Sequence, residues 1–286
     1  MTMPNFLVIG AMKSGTTTLH NYLAQHPQVY MSPLKEPHFF SYKGQANRKI
    51  TNLDDYHALF QGVSDEIAIG ESSTTYLAFP KIASERIHHY IPNAKLIAIL
   101  RNPSEAAYSL YLMIHRSKLT GSSKQQILDG FVQTIQNRSG NIKGRYYYGQ
   151  LKQYFRLFDR DQIKIYLHED LITEPDSLLQ DIFRFLGVDE KFVIDKSIIS
   201  NKGGIPKNKL LYDLIKTLKN NRTLKTLIPQ SLREPIYRTY ISIRNSNLEK
   251  YPQLPPEIRQ QLIELYREDI LKLQDLLQRD LSKWLD

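Results

Sequence analysis

The sequence predicts an α/β fold: a three-layer sandwich in which helices cover both faces of a mostly parallel central sheet, with a helical C-terminal portion. Two observations support this prediction. Short apolar runs with β-branched members recur along the chain, at residues 6–9, 67–71, 95–100 and 162–167. Stretches with apolar residues at helical spacing separate these runs, and three of them begin at a proline: Pro80, Pro103 and Pro175. Such alternation of strands and helices is typical of a parallel sheet.

The remaining elements follow from local signals along the chain. Pro27 ends the first helix, and a short extended piece follows it at residues 28–31. Helices are predicted at residues 52–61, 80–90, 103 onward, 125–136 and 175–186. Apolar residues at helical spacing from Pro255 to Trp284 predict a helical tail that serves packing.

Length and composition favour a single domain over residues 1–286, with a core over about 1–200 and a loop and helical tail over about 201–286. No Pro-, Gly- or Ser-rich linker divides the chain. It has no cysteine, so a disulfide framework and a thiolate zinc site are excluded. It has no run of about 18 apolar residues, so no membrane span is expected. The first strand begins at Phe6, which leaves no room for a signal peptide, and we expect a cytoplasmic protein.

The net charge of +9 is concentrated late in the chain. Between residues 205 and 245 stand nine Lys or Arg residues and two acidic ones. This segment is either a solvated helical face or a surface that attracts an anionic donor, an acidic glycan or lipid headgroups, the last as a peripheral membrane contact. No helix-turn-helix, RNP or zinc-finger pattern is present, so no nucleic-acid partner is expected.

The turn after the first strand has the features of an anion site. Residues 10–15 form a glycine-bounded loop that carries Lys13 and Ser14 and leads into a helix at Thr16. Glycines allow close backbone approach, and the N–H groups of a helix N-terminus point at bound oxygens. The glycine spacing is that of a Walker A loop, but Thr16 replaces the lysine, which lies inside the loop. The sequence therefore predicts a P-loop-type fold whose phosphate site uses cations and no metal.

A second phosphate contact is predicted after the strand at residues 95–100. That strand ends at Arg101, where a Walker B motif would have an aspartate. A guanidinium can grip a phosphate in a bidentate manner. Ser109 comes two helical turns later and can reach the same phosphate. The alternatives are a structural salt bridge for Arg101 and a small packing residue at Ser109.

Candidate acid–base residues lie in two further loops. Pro37 biases Glu36 away from helix, which places this carboxylate on a loop where it can act as a general base. His38 is the local rival for that role. Glu71 ends the strand at residues 67–71 and Ser73 comes just after it, at the end where open α/β sheets bind ligands. They are candidate acceptor-binding residues, and a capped strand–helix turn is an equal alternative.

Three blocks together resemble the sulfotransferases that use 3′-phosphoadenosine 5′-phosphosulfate (PAPS) as donor. Residues 6–17 are similar to the family's 5′-phosphosulfate loop, and residues 99–109 to its 3′-phosphate motif. Residues 35–40 resemble the acidic motif of the carbohydrate (heparan-type) branch and its bacterial relatives. The blocks keep the family's order and spacing, and the resemblance covers the first two-thirds of the chain well. Residues 143–155 resemble a family helix whose aromatic residues we expect mainly in the core.

The resemblance implies metal-free sulfuryl transfer from PAPS to an acceptor hydroxyl, with Glu36 as base and the bisphosphate PAP as product. The implied donor-binding residues are Lys13, Ser14, Gly15, Thr16, Thr17, Arg101 and Ser109. Lys202 and Gly203 join them as parts of a late loop, for which a plain linker is the alternative interpretation. His38, Glu71 and Ser73 would face the acceptor. The acceptor itself is left open among a glycan, a lipid and a natural-product alcohol. The competing hypotheses are a P-loop kinase or NTPase and a non-catalytic module that binds glycan or lipid.

Overall fold

The computed structural model describes residues 2–41, 50–196, 203–220, 239, 242–243 and 245–286. Lys202, predicted to close over the donor, lies outside these residues. So does most of the basic segment between residues 205 and 245, and its predicted contact with anions stays a prediction.

Within the described residues, five parallel strands form the central sheet. They are β1 (Phe6–Gly10), β2 (Val29–Met31), β3 (Ala68–Ser72), β4 (Lys95–Leu100) and β5 (Ile163–Leu167), in the spatial order β2-β3-β1-β4-β5. The four predicted strands are confirmed, and the extended piece after Pro27 is an edge strand paired with β3. Because all five strands are parallel, their carboxyl ends lie along one edge of the sheet.

Helices alternate with the strands. In chain order they are α1 (Thr16–Leu23), α2 (Leu53–Ala58), α3 (Thr75–Ala78), α4 (Pro80–Tyr90), α5 (Pro103–His115), α6 (Lys124–Gln136), α7 (Gly140–Lys143), α8 (Tyr147–Tyr154), α9 (His168–Thr173), α10 (Pro175–Leu186), α11 (Lys209–Asn220) and α12 (Pro256–Leu277). A two-stranded antiparallel ribbon joins β6 (Ile205–Pro206) to β7 (Leu248–Glu249). No helix in these ranges combines the length and apolar character that crossing a bilayer requires.

Both faces of the sheet are covered, which explains why β1 and β4 consist almost entirely of apolar residues. Successive side chains of a strand point to opposite faces. Phe6 and Val8 of β1 pack in one apolar cluster with residues of α1 and α10. Leu7 and Ile9 pack in a second cluster with residues of α4, α5, α8 and α12. The three-layer sandwich predicted from the sequence is therefore confirmed.

The C-terminal tail differs from its prediction in extent. Helix α12 ends at Leu277 because Gln278 is left-handed, with a φ of +51°. The chain then turns back, and Trp284, in a short 3-10 turn, is 2% exposed and donates its Nε1 hydrogen to Glu169 at 2.6 Å. Arg279 pairs with Asp170 at 2.5 Å. The tail is thereby anchored beside the carboxyl end of β5.

Candidate functional site

The loop between β1 and α1 is held in a shape that few residue types can adopt. Gly15 has a φ of +91°, and a Cβ there would lie 2.8 Å from Leu171 Cδ2 and 3.2 Å from His168 Cδ2. Lys13 is left-handed as well, with a φ of +73°, which is unfavourable for a residue with a side chain. The N-cap of α1 is Gly15, which has no side chain to cap the first-turn N–H groups. An external anion can therefore accept from them.

A cation cluster surrounds this loop and consists of Lys13, Arg101, Arg116 and Arg145. Burial, and then repulsion from the three arginines, lower the pKa of Lys13 to about 8. Arg145 is only 3% exposed, and its Nε has no hydrogen-bond partner among the described residues. A buried guanidinium without a matching negative charge is costly. The cluster is therefore short of negative charge.

Buried hydroxyls beside the cluster also lack partners. Ser14 is fully buried, and neither its Oγ nor the hydroxyl of Tyr147 makes a hydrogen bond of ordinary geometry within the described part of the chain, although the two groups and Arg145 lie close enough to interact. Burial raises the pKa of Tyr147, and the neighbouring Arg145 and Ser14 partly oppose that effect. Each unsatisfied buried donor costs about 1–3 kcal/mol. An anion with several oxygens, such as a phosphate, would satisfy these groups and the cations together.

Arg101 forms the structural salt bridge that its sequence context offered as one alternative, and its phosphate contact stays a prediction. Its Nε and Nη2 donate to Glu105 Oε2 at 3.1 and 2.8 Å, which is the structural salt bridge, while its Nη1 lies 3.5 Å from the carbonyl oxygen of Lys13. Arg259 of α12 contacts the other oxygen of Glu105 at 3.3 Å. Ser109 lies on the same side of α5 as Glu105, because the two residues are four apart in that helix. The guanidinium is thus fixed beside the loop, with one edge turned towards it.

A carboxylate cluster, defined as Glu36, His38, Glu71 and Ser73, lies at the carboxyl ends of β2 and β3. The side chain of Glu36 is 34% exposed, so a bound molecule can reach it. Its Oε1 accepts from Lys35 Nζ at 3.0 Å and from Thr74 Oγ1 at 3.3 Å, and its Oε2 lies 3.4 Å from Nε2 of His38. Both Glu36 and His38 are left-handed, with φ of +61°. The two rival bases of the sequence analysis therefore contact each other.

Glu71 and Ser73 are brought next to this pair but lie beneath it. Both residues are fully buried. Glu71 accepts hydrogen bonds from the hydroxyls of Tyr56, Tyr76 and Ser73. Burial raises the pKa of Glu71 to about 7, although these hydroxyls oppose the effect. The carboxyl group that was predicted to bind an acceptor is thus surrounded by protein, and only Glu36 and His38 of this cluster are partly open.

His20 of α1 links the two clusters. Its Nδ1 lies 3.1 Å from the hydroxyl of Ser72, the last residue of β3. The backbone N–H of Ser73 donates to Val8 of β1 at 3.0 Å. Burial, and then the charge of Lys35, lower the pKa of His20 to about 4, so its imidazole is neutral at pH 7. The anion loop and the carboxylate cluster are therefore fixed to each other through β1, β3 and α1.

Gly203 approaches the cation cluster through one aromatic ring. A Cβ at Gly203 would lie 2.9 Å from the ring of Tyr251, and the hydroxyl of Tyr251 accepts from Arg116 Nε at 3.1 Å. Gly203 of the late loop therefore lies against a ring that contacts Arg116 of the cation cluster.

No motif in the sequence assigned Arg116, Arg145, Tyr147 or His20 to the site. Arg145 and Tyr147 lie in the aromatic block at residues 143–155, which was assigned to packing. The available signal was an arginine directly before three consecutive tyrosines in a predicted core segment. Arg116 carries no such signal, because it only follows the last turn of α5. Among the described residues, no group of three or more His, Asp or Glu side chains could hold a metal ion.

Comparison with known proteins adds relatives of named activity. The chain is 29% identical over 208 residues to bifunctional heparan sulfate N-deacetylase/N-sulfotransferase 1 of Caenorhabditis briggsae. That match covers 66% of this chain but 23% of the relative, so this chain spans only a small part of that protein's length. A solved sulfotransferase from Alicyclobacillus acidocaldarius matches over 100% of both chains, with a TM-score of 0.73 and 28% identity.

A more distant solved structure, mouse sulfotransferase SULT7A1 complexed with PAP, shares the fold. It has a TM-score of 0.50 and 13% identity, over 94% of this chain and 84% of that chain. A family model described as a sulfotransferase domain matches residues 3–273. Since this match spans nearly the whole sequence, the chain belongs to the sulfotransferase family.

Proposed function

We propose that the chain transfers a sulfuryl group from PAPS to an acceptor hydroxyl. The observation that supports this donor is the cation cluster, in which buried Arg145, Ser14 and Tyr147 have polar atoms without partners among the described residues. PAPS carries a phosphosulfate and a separate 3′-phosphate, and so supplies the negative charge and the oxygens that the cluster lacks. A triphosphate would bring similar charge, but the family assignment favours PAPS.

On this proposal the loop and the cluster divide the donor between them. The N–H groups of residues 14–17 would hold the 5′-phosphate, and Lys13 would neutralise the oxygen that bridges phosphorus and sulfur as it leaves. Arg101 and Ser109 would bind the 3′-phosphate. The loop at Lys202 and Gly203 would close over the donor. The contact of Gly203 with Tyr251, which bonds Arg116, supports that placement.

Glu36 is the proposed base. In the reaction the acceptor oxygen forms a bond to sulfur while the bond from sulfur to the phosphate oxygen breaks, and that oxygen keeps the electron pair on PAP. The acceptor proton goes to Glu36, whose exposed carboxylate is held by Lys35 and Thr74. His38, 3.4 Å away, is placed to orient the carboxylate. Positioning and electrostatic stabilisation would supply the catalysis, as in phosphoryl transfer.

For the acceptor we propose a glycan hydroxyl, because relatives are named for heparan sulfate and for carbohydrate. Lipid and natural-product alcohols stay open as alternatives. An amine acceptor is the second candidate, since a relative is named as an N-sulfotransferase. The single-domain organisation and the cytoplasmic location stay predictions.

Calorimetric titration with PAP, beside ATP with magnesium, tests the donor. We expect PAP to bind the wild type and to bind Arg101→Ala at least about tenfold more weakly, because a charge-assisted bidentate contact is lost. The matched control is Arg184→Ala, since Arg184 lies on α10 and its side chain is 65% exposed. Binding of ATP without PAP would support a kinase. Salt-sensitive glycan binding without any nucleotide binding would support a non-catalytic module, and either result would overturn the proposal.

A further inference from the structure

Glu71 has no role in the reaction as proposed above, yet it is a costly residue to bury. Among the described residues, no other Asp or Glu is as completely shielded from solvent. It lies on β3, and its carboxylate accepts from Tyr56 of α2, from Tyr76 of α3 and from Ser73. A buried carboxylate is tolerated only when it is paired or hydrogen-bonded, and here hydroxyls meet that need.

Two of these hydroxyls also serve the loop that carries Glu36. Ser73 Oγ donates to Glu71 at 2.9 Å and accepts from the backbone N–H of His38 at 3.1 Å. The hydroxyl of Tyr76 donates to Glu71 and accepts from the backbone N–H of Phe40 at 3.4 Å. A hydroxyl has one proton to donate. Because each proton is directed at Glu71, the lone pairs are left to face the two loop N–H groups.

The loop needs such restraints because its backbone is unfavourable by itself. Glu36 and His38 are both left-handed, with Pro37 between them. Residues with a Cβ rarely adopt that region unless the surrounding structure holds them there. The N–H of Glu36 is bonded to Ser72 of β3 at 3.0 Å. The N–H groups of residues 38 and 40 are bonded to the hydroxyls of Ser73 and Tyr76, which we call the relay hydroxyls.

We propose that Glu71 is a positioning residue: as a carboxylate it orients the hydroxyls of Ser73 and Tyr76 so that they hold the loop at residues 36–40 and present Glu36 to the acceptor. The assignment of Glu36 as base rests on the proposed function, whereas the coupling of Glu71 to the loop does not. A protonated Glu71 must donate a hydrogen from one oxygen, so it can no longer accept from all its hydroxyl neighbours. One relay hydroxyl then has to accept from Glu71 and reorient, which weakens the hydrogen bond between that hydroxyl and the loop.

The titration of Glu71 is set by the groups that face it. These are Tyr56 from α2, Tyr76 from α3, Ser73 after its own strand, and the charge of Glu36 from the loop. Burial has the largest effect and raises its pKa to about 7, with Glu36 adding to the rise and the hydroxyls opposing it. The loop is therefore expected to be held more firmly at pH 8 than at pH 6.

The test follows the backbone amides of His38 and Phe40 by NMR hydrogen exchange in the full chain. In Glu71→Gln we expect both amides to exchange about tenfold faster at pH 8, after correction for intrinsic rates, with PAP affinity within twofold of wild type. In the wild type, the chemical shift of the Phe40 amide should titrate with a midpoint near pH 7, and Glu71→Gln should abolish this titration. A residue that only filled space would leave the titration in place.

Two single-relay variants keep the proposal testable if Glu71→Gln does not fold. Ser73→Ala should speed exchange at His38 and spare Phe40, whereas Tyr76→Phe should do the reverse. Equal effects on both amides, or none, would overturn the relay. Failure of the proposed function is separately visible: normal PAPS turnover in Glu36→Gln would remove the base assignment and leave the exchange results unchanged.

Discussion

The cation cluster and the carboxylate cluster lie along the same edge of the sheet, yet they respond to burial in opposite ways. Burial lowers the pKa of Lys13 to about 8 and raises that of Glu71 to about 7. In the carboxylate cluster the buried Glu71 already has its hydrogen-bond donors, because three hydroxyls surround it. The cation cluster is not satisfied in this way, because Arg145 and Ser14 keep polar atoms without partners among the described residues. The carboxylate cluster is thus satisfied without a ligand, whereas the proposed donor would supply the partners that the cation cluster lacks.

Two substitutions with large consequences for the rate, Lys13→Ala and Glu36→Gln, should separate the loss of donor binding from the loss of proton removal. Lys13→Ala should lower the rate of PAP formation from PAPS about 10³-fold and weaken PAP binding, because transition-state charge and a ligand contact are both lost. Glu36→Gln should lower the same rate about 10²–10⁴-fold but leave PAP affinity within about threefold. The assay uses desulfated heparan sulfate as first acceptor, with calorimetry for PAP. Loss of PAP binding in Glu36→Gln would contradict the division between the clusters.

The free energy of unfolding should depend on pH in a way that Glu71 determines. Its pKa is raised in the folded state from the ordinary 4.5 to about 7, so the fold binds this proton more tightly than the unfolded chain does. Stability from this group is therefore complete below about pH 4.5 and is lost as pH rises to about 7, by on the order of 3 kcal/mol. Urea unfolding at pH 5 and pH 8 measures the loss. Glu71→Gln should lack this component, and an identical pH dependence in that variant would contradict the assignment.

Arg145 should matter to the ligand and not to the ligand-free fold. Arg145→Gln should weaken PAP binding about 10- to 100-fold, the value of one charge-assisted hydrogen bond of about 1.5–3 kcal/mol. Its melting temperature without ligand should stay equal or rise, because a buried charge without a counter-ion is removed. The control is Arg156→Gln, since Arg156 is exposed just after α8. Strong destabilisation with unchanged PAP affinity would show that Arg145 is structural.

The smallest effect is a pH dependence of PAP affinity. With the pKa of Lys13 at about 8 in the free protein, the lysine is largely neutral at pH 9 and must take up a proton when it meets the anion. Affinity should therefore fall above about pH 8, by at most about tenfold per pH unit. Calorimetry in two buffers of different ionisation enthalpy would measure that uptake at pH 8.5. Equal heats in both buffers would mean that Lys13 stays charged without ligand.

Much of the fold was predictable because local signals agreed with the tertiary structure. The apolar runs at β1 and β4 are buried on both faces, which is what a continuous apolar strand indicates. The prolines that open α4, α5 and α10 marked those helix starts correctly. The end of α12 was not predictable, because Leu281 and Trp284 keep a helical spacing although the chain has turned at Gln278.

The candidate site was predictable only where a motif carried it. The glycines and the lysine of the loop at residues 10–15 predict an anion site from the sequence alone. The structure adds that Lys13 lies among three arginines. Arg116 follows α5 and Arg145 lies in the turn between α7 and α8, and no regular spacing along the sequence relates them to Lys13. Glu71 was noticed for its place at the carboxyl end of a strand, but its burial depends on Tyr56 and Tyr76, which only packing brings together.

A crystal structure of the protein with PAP would decide whether the cation cluster is the donor site. We expect phosphate oxygens within hydrogen-bond distance of Lys13, Arg101 and the hydroxyl of Ser14, so that the cation cluster gains the partners it lacks. The hydrogen bonds of Glu71 to Tyr56, Tyr76 and Ser73 should be unchanged. PAP bound away from the loop at residues 10–15, or a carboxylate cluster that rearranges to receive it, would contradict the account.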